Sequence, residues 1–396
     1  MIYYVDSDNK GEKRSGLSPS DAVSSWRDLC IRPGDTVLFR RGSFFRDSLL
    51  PPDGEKDAVI RFGAYGEGKK PVFCGSKDLS SPDLWIETRR NEWKCAADLE
   101  SEACNLIFDG GRSCGVLAWE PDGLDSPGKW HYTGIGNTER RKRGGACDLF
   151  LYSEGNPGRV FGSIECALYG NRRMASARAY VEFSDLAFIN SGVHGFAATS
   201  AVGITMRNCD FSFIGGCVWN RERKIRFGNA FELWDGARDV TMEGCRCFEI
   251  YDSCYTHQGP DDRGRVPENL ICRGNVFEKY GMAAYEARGL VPRGAVFSDN
   301  ICLDAGVGFS LQDETPPRRS EIWPQPMGHH VFLWHTEHGT EGGRVEVTGN
   351  YFGRAPYGGA IYDIVSDEAR AQFIIKGNRY SPSSDRMLDD EDGESV

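Results

Sequence analysis

The chain has 396 residues, enough for one large domain or two ordinary ones and ample to bury a core. It is acidic, with 47 Lys and Arg against 58 Asp and Glu, which argues against a broad electrostatic surface for nucleic acid. The basic runs at residues 140–143 and 221–226 are short or interrupted by Glu, so we interpret them as solvated loops. No apolar run reaches the ~18 residues of a membrane-spanning helix.

The start of the chain and its cysteines bear on location. It begins MIYYVDSDNKG, where Tyr3–Val5 already has the residues of a strand and no apolar leader precedes it. We expect a cytoplasmic protein, or a secreted one from which a signal peptide was removed. Most of the 14 Cys stand singly in apolar runs, which suits buried thiols in a reducing compartment. Only Cys245 and Cys247 are closely spaced, and no second pair at ligand spacing indicates zinc or another metal.

Helical periodicity is almost absent. One candidate helix runs from Ser18 to Leu29 and ends before Pro33 and Gly34. Elsewhere, short runs of β-branched and aromatic residues are separated by Gly, Asn and Asp, and the chain holds 48 Gly. This composition predicts an all-β protein with a short N-terminal cap helix.

The β-rich runs resemble one another, as SDLAFINSG at Ser184 and RGNVFEKYG at Arg273 show. Each run has an anchor residue, and four residues after six of the anchors a Gly, Asp or Pro marks a corner. Successive anchors are 23, 37, 29, 25, 50 and 28 residues apart, at Phe188, Phe211, Phe248, Phe277, Cys302, Phe352 and Tyr380.

A strand-rich repeat in the twenties with variable insertions predicts a parallel β-solenoid, in which each coil buries its apolar face only by stacking on its neighbours. Propeller blades need about 40 to 45 residues and four strands each. A sandwich needs hairpin turns, and Asn-Gly or Asp-Gly pairs do not recur in register here.

Three N-terminal segments carry a family resemblance: residues 3–29, RPGDTVLFRRGSFF at 32–45 and VIRFGAYGEGKKPVF at 59–73. Together they resemble right-handed parallel β-helix proteins of the pectate-lyase-like superfamily. The later coils and PQPMGHHVFLWH at 324–335 resemble the carbohydrate-active branch of those proteins. The resemblance covers roughly residues 2–380 and implies a right-handed β-helix that is usually a glycoside hydrolase or a polysaccharide lyase.

The chain divides into four segments. We expect an N-terminal cap with the first turns, early coils with irregular insertions, regular coils that carry a groove, and an acidic disordered tail. These segments are residues 1–75, 76–160, 161–380 and 381–396.

Long insertions after Val218, Gln258 and Leu311 locate the predicted groove, since insertions at equivalent points of adjacent coils emerge on one side. His257 and Glu286 both lie nine residues after their anchors, so we expect them to be neighbours on adjacent coils. Asp252 occupies a corner where other coils have Gly, so we assign it to the turn.

Paired carboxylates are the chemistry that a glycosidase needs, one as acid and one as base or nucleophile. We place Glu286 at the centre of the groove, with Glu232 two coils away or Asp313 on the next coil as its partner. The predicted catalytic residues are Glu286, Glu232, Asp235, Asp313 and His257.

Flat aromatic side chains stack on sugar rings, while polar and charged side chains hold hydroxyl groups. On this basis Trp234, Tyr285 and Trp323 are predicted platforms, whereas Trp334 is interpreted as packing. The predicted substrate-binding residues are Trp234, Tyr255, Gln258, Tyr285, Arg288, Gln312, Trp323 and His330.

The function predicted first is hydrolysis of a glycosidic bond without a cofactor. The alternative is a polysaccharide lyase with Tyr255 or His257 as base and Arg288 or Ca²⁺ neutralising a uronate. A third possibility is a non-catalytic carbohydrate-binding β-helix. In each case the partner is a carbohydrate, and no nucleic acid, membrane or obligate protein partner is expected.

Overall fold

The computed structural model describes residues 1–9, 14–136, 147–170, 173–259, 265–311, 327–334, 338–382 and 390–396. They fold as a right-handed parallel β-helix, which confirms the predicted solenoid. A regular coil contributes one strand to each of three parallel sheets, named A, B and C. One such coil consists of Ala179–Ser184, Ala187–Ser191 and His194–Thr199.

The described part of the chain places ten strands in sheet A, ten in sheet B and seven in sheet C. Sheet A contains Ile2–Val5, Thr36–Arg40, Ile60–Tyr65, Ala179–Ser184, Val202–Arg207, Arg238–Glu243, Glu268–Arg273, Arg293–Ser298, Arg344–Thr348 and Phe373–Lys376. Sheet B contains Phe44–Phe45, Val72–Cys74, Ala187–Ser191, Asp210–Ile214, Arg246–Ile250, Val276–Tyr280, Ile301–Ala305, Tyr351–Phe352, Arg379–Tyr380 and Glu394–Ser395. Sheet C contains Arg173–Ala175, His194–Thr199, Phe231–Trp234, Ser253–Gln258, Ala283–Arg288, His329–Trp334 and Ile361–Ile364.

Stacked aromatic rings fill the interior. Along sheet B, Phe45, Phe73, Phe188 and Phe211 stack in sequence, with ring centroids 5.1, 5.7 and 5.4 Å apart. All four side chains are buried. Offset stacking adds to the burial of apolar area, so each coil fixes the position of the next.

The repeat anchor slips by one residue in one coil. Phe211 pairs with Cys247, which in turn pairs with Phe277, so the interior residue of this coil is Cys247 rather than Phe248. Phe248 points outward, 5.6 Å from the Arg246 guanidinium. Because side chains alternate along a strand, this slip reverses the face predicted for residues counted from Phe248.

A ladder of buried asparagines connects the later coils. The amide N–H and Nδ2 of Asn275 both donate to Oδ1 of Asn300, at 3.0 and 2.9 Å. Asn300 donates in the same way to Asn350, and Asn350 to Asn378. The recurring Gly-Asn and Asp-Asn pairs of the repeat therefore form a hydrogen-bonded column inside the turn, where unpaired amides would be costly.

The C-terminal segment ends this ladder. Asp390 is buried and accepts from Nδ2 of Asn378 at 2.9 Å and from the hydroxyl of Tyr380 at 2.5 Å. Glu394–Ser395 then pairs with Arg379–Tyr380 in sheet B. Residues 390–396 thus differ from the disordered tail that the acidic composition predicts.

The predicted N-terminal cap helix is present only as short helical turns. Ser18–Leu29 holds two 3-10 helices, Pro19–Asp21 and Trp26–Asp28, with extended backbone at Ala22. Val23 instead exchanges backbone hydrogen bonds with the first strand, donating to Tyr4 at 3.1 Å. Covering the end of the sheet satisfies that strand's backbone, which a continuous helix would not do.

The described residues between 76 and 168 form an insertion with one antiparallel and one mixed sheet and its own core, including Leu106 and Trp130. One sheet contains Ser113–Cys114, Ala103–Phe108, Ile164–Leu168 and Ser76–Asp78. The other contains Val116–Leu117, Lys129–Tyr132, Leu149–Tyr152, Glu92–Cys95 and Trp85–Arg89. The remaining described helices are the 3-10 helices Pro82–Leu84 and Pro121–Gly123 and the α-helices Pro157–Val160 and Asp367–Arg370.

A hairpin of Cys217–Asn220 and Ile225–Phe227 fastens the insertion to the β-helix. The buried Arg226 of this hairpin donates to the carbonyl of Cys104 at 2.7 Å. All 14 cysteines are free thiols. Among the described residues, no helix is long and apolar enough to cross a membrane.

Candidate active site

The outer face of sheet C carries the candidate site. In each central coil, two consecutive residues point into the core, for example Cys254 and Tyr255 or Ala284 and Tyr285. Because side chains alternate along a strand, the residue after this pair points outward, and so does every second residue after it. Two rows result in register: Ala197, Glu232, Thr256, Glu286 and Phe332; and Thr199, Trp234, Gln258, Arg288 and Trp334.

Glu286 is held by hydrogen-bond donors on three sides. Trp334 Nε1 donates to its Oε1 at 2.7 Å, and Ser253 Oγ donates to its Oε2 at 2.9 Å. Gln258 Nε2 lies 3.5 Å from the same Oε2. The side chain is only 1% exposed, so these donors replace the water that a carboxylate would otherwise bind.

Glu232 has a different environment. Its Oε2 lies 2.6 Å from His194 Nδ1, and Nδ1 also accepts from the Asn229 amide at 3.2 Å. The buried Glu232 carboxyl group therefore lies against an imidazole beside the outer face of the sheet, rather than among several neutral donors.

Thr256 separates the two glutamates. It pairs with Glu232 on one side and Glu286 on the other, so the two carboxylates belong to strands two spacings apart, or about 9.6 Å between backbones. Thr256 Oγ1 is buried and has no hydrogen-bond partner within the described chain. The three residues form a polar row, Glu-Thr-Glu, across consecutive coils.

A cleft of about 340 Å³ opens on the N-terminal side of this row. Trp234 is 37% exposed and forms one wall, with Asp235 at the end of the same strand. Asp235 Oδ1 lies against Gly259, where an added Cβ would come within 2.9 Å. The cleft is lined by Arg173, His194, Ala197, Ala198, Thr199, Trp234 and Asp235.

The prediction that His257 and Glu286 are neighbours on adjacent coils is wrong by one residue of register. His257 pairs with Leu233 and Ala287, is buried in the core, and its Nε2 lies 2.9 Å from the Tyr285 hydroxyl. Burial lowers its pKa to about 3. The cause is the anchor slip at Phe248, which puts Thr256 rather than His257 opposite Glu286.

Three predicted substrate-binding residues also point inward. Tyr255 and Tyr285 belong to the interior cluster, and burial raises the pKa of both phenols. His330 contacts the Tyr280 hydroxyl and lies 2.9 Å from the carbonyl of Gly353, and burial lowers its pKa to about 4. The structure therefore does not bring these side chains to the outer face.

Arg288 and Gln258 do lie on the outer face, with Trp334 beside them. Arg288 Nη1 donates to Gln258 Oε1 at 3.2 Å, and its guanidinium lies 4.4 Å from the centre of the Trp334 ring. The sequence interpretation of Trp334 as packing missed its hydrogen bond to Glu286. Three predicted residues lie outside the described residues: Gln312, Asp313 and Trp323.

Sequence reasoning also missed His194, Ser253, Thr256 and Arg173. Counting the coil from Cys247 would have aligned Thr256 with Glu286, but nothing in the sequence shows which of two adjacent apolar residues is the interior one. Within the described ranges, no group of three or more His, Cys, Asp or Glu residues is placed to hold a metal ion.

Several known structures are similar to this protein in fold. A protein described as a glycoside hydrolase aligns over 99% of this chain and 96% of its own, with a TM-score of 0.56 and 8% identity. The GH136 lacto-N-biosidase from Eubacterium ramulus aligns over 100% of this chain and 66% of its own, with a TM-score of 0.48 and 14% identity. Pectate lyase Pel9A aligns over 95% and 79%, with a TM-score of 0.42 and 11% identity.

At 8% identity, the likeness with a TM-score of 0.56 establishes the fold alone, the right-handed parallel β-helix that the N-terminal motifs predict. No protein-family model and no curated protein sequence matches the chain.

Proposed function

We propose that this protein is a carbohydrate-active enzyme that hydrolyses glycosidic bonds, with Glu232 as general acid and Glu286 as general base. The observation that carries the proposal is the pair of buried carboxylates on one outer row, two coils apart, beside an open cleft. The β-helix of a glycoside hydrolase with a TM-score of 0.56 supports it as an analogy of fold.

The surroundings of the two glutamates suggest their roles. Glu232 lies 2.6 Å from the imidazole of His194, a side chain that can pass a proton to it, so we assign Glu232 as the acid that protonates the leaving-group oxygen. Glu286 accepts from Trp334 and Ser253, donors that favour the ionised carboxylate needed to activate water. Unlike surroundings of this kind allow two chemically identical side chains to act as acid and base.

The spacing favours inversion of configuration. Two strand spacings are about 9.6 Å, near the ~6.5 to 9.5 Å between carboxyl groups that leaves room for water in inverting enzymes. Carboxylates on adjacent coils, at about 4.8 Å, would suit the ~5 to 5.5 Å of a retaining mechanism. Thr256, between the two glutamates, has a hydroxyl that can hold the water or a substrate hydroxyl.

The described residues support a lyase less well. Both predicted lyase bases, Tyr255 and His257, face the core and are out of reach of a substrate on the outer face. A uronate bound over Thr256 would lie beside Glu286, the proposed ionised base, so its carboxylate would meet like charge. A hydrolase requires only water as its second reactant, and we propose that no cofactor takes part.

Product chemistry tests the proposal. The full-length protein is incubated with neutral oligosaccharides and with uronate oligosaccharides, and reducing ends and the ultraviolet absorbance of unsaturated products are followed. New reducing ends without unsaturated product are expected, with NMR showing an inverted anomeric configuration in the first product. Unsaturated product would refute hydrolysis, and reducing ends released equally by Glu286→Gln would refute the assigned base.

A further inference from the structure

We propose that the cleft beside Trp234 is a subsite for an uncharged sugar residue on the leaving-group side of the scissile bond. The inference rests on the proposed function for its position in the reaction. Its binding chemistry rests on the cleft itself, which Arg173, Thr199, Trp234 and Asp235 line without contributing to the Glu-Thr-Glu row.

The position follows from the register. The cleft lies over the strands Arg173–Ala175, His194–Thr199 and Phe231–Trp234. Glu286 lies two coils after Phe231–Trp234, on the side away from the cleft. A sugar between the glutamates has its leaving oxygen at Glu232, the acid. The rest of the substrate then extends away from Glu286, into the cleft.

The shape of the cleft suits one ring. Trp234 presents an exposed indole, and the small side chain of Ala197 leaves space beside it. The volume of about 340 Å³ is at the low end of the ~300 to 1,000 Å³ range for small-molecule sites. A pyranose stacks its C–H face on an indole, and its edge hydroxyls then point to the other walls.

The charges on those walls select an uncharged sugar. Arg173 and Asp235 are of opposite sign, and neither side chain has a hydrogen-bond or ion-pair partner in the described structure. Together they can donate to one hydroxyl and accept from its neighbour. A uronate would gain from Arg173 but would be repelled by Asp235, so the two charges offset each other for a uronate, whereas an uncharged ring can hydrogen-bond to both.

Binding is tested in the full-length Glu286→Gln protein, so that turnover does not interfere. The probes are methyl glycosides of glucose, galactose, mannose, xylose and N-acetylglucosamine, with methyl glucuronide and methyl galacturonide as charged counterparts, and affinity is measured by NMR titration. At least one neutral glycoside should bind more tightly than either uronide. Adding Trp234→Ala should weaken it tenfold or more.

The matched control is Trp219→Ala, which removes a tryptophan that is 61% exposed on the hairpin and does not line the cleft. It should change affinity less than twofold. Failure of every neutral glycoside to bind, tighter binding of a uronide, or equal effects of the two tryptophan variants would each overturn the inference.

Kinetics test the leaving-group side separately. In a background with both glutamates intact, Trp234→Ala should lower kcat/KM for an oligosaccharide at least tenfold more than for a 4-nitrophenyl glycoside of the same sugar. Equal losses would place the cleft on the other side of the bond. A neutral glycoside could still bind in a Trp234-dependent way while Glu232→Gln and Glu286→Gln keep normal turnover. That result would refute the proposed catalytic roles of the glutamates but would support the sugar site.

Discussion

The outer faces of sheets A and C have the same backbone geometry and opposite chemistry. On sheet A, Glu182 and Glu243 alternate with Arg207 and Arg273 on successive coils, in ion pairs of 2.9 to 3.4 Å between half-exposed side chains. On sheet C, Glu232 and Glu286 are buried; Glu232 lies against His194, and Glu286 accepts from Trp334 and Ser253.

The two faces differ in whether water solvates their charged side chains. A surface ion pair of the sheet A kind contributes ~0 to 1 kcal/mol, because water screens it and ordering the side chains costs entropy. Burying a carboxylate on sheet C costs far more unless donors surround it. Two such groups on one row beside a cleft therefore support the proposal that Glu232 and Glu286 serve catalysis rather than stability.

Glu232→Gln should give the largest effect. Loss of the acid is expected to lower kcat by a factor of ~100 or more, the usual scale for a general acid or base. The substitution keeps the shape of the side chain, so circular dichroism should show the fold unchanged. Steady-state kinetics on the oligosaccharide found by the product screen provide the test; near-normal kcat in a folded protein would contradict the assignment.

Asn300→Leu should affect the scaffold instead. It removes the acceptor of two Asn275 donors and the donor to the Cys272 carbonyl. Each buried group left unpaired costs ~1 to 3 kcal/mol, so we expect a loss of about 3 kcal/mol in the free energy of unfolding. Denaturant unfolding measures it, and the kcat of the folded fraction should stay within twofold. An unchanged midpoint would show that the ladder does not stabilise the coils.

Acid should destabilise the interior through its histidines. Burial lowers the pKa of His257 to about 3 and of His330 to about 4, while the unfolded chain binds these protons near ~6.5. Below pH ~6.5 the unfolded state therefore holds more protons, and stability falls by up to ~1.4 kcal/mol per pH unit for each histidine. Unfolding at pH 7.5, 5.5 and 4.5 should show this slope.

His257→Gln should reduce the pH dependence of the free energy of unfolding by the contribution of about one proton, because glutamine does not titrate. His338→Gln is the control for the substitution itself, since His338 is exposed and lies outside the core. A slope that stays the same in His257→Gln would mean that His257 is protonated in the folded protein.

The smallest effect is expected for Glu243→Gln, which breaks two ion pairs on sheet A. Stability should change by less than ~1 kcal/mol and the rate not measurably. The same chemical change therefore separates the two faces: Glu to Gln on sheet C removes activity, and Glu to Gln on sheet A does not. A large loss of stability would show that the sheet A pairs act as a network.

The fold could be predicted because each coil repeats the same local sequence pattern. Spaced apolar anchors such as Phe188 and Phe211, followed by residues that tolerate a corner, specify coils that bury their faces only by stacking. The N-terminal cap is less helical than predicted because its residues cover the first strand, which local periodicity does not reveal.

The sequence by itself determined that Glu232 and Glu286 lie on strands two coils apart, beside a tryptophan. Only the tertiary structure decided which neighbours they have. In a strand, one residue of register reverses the face, so Cys247 rather than Phe248 as the interior residue moved His257 into the core and Thr256 into the site. His194 and Trp334 reach the glutamates from other coils, and that contact depends on how the coils stack.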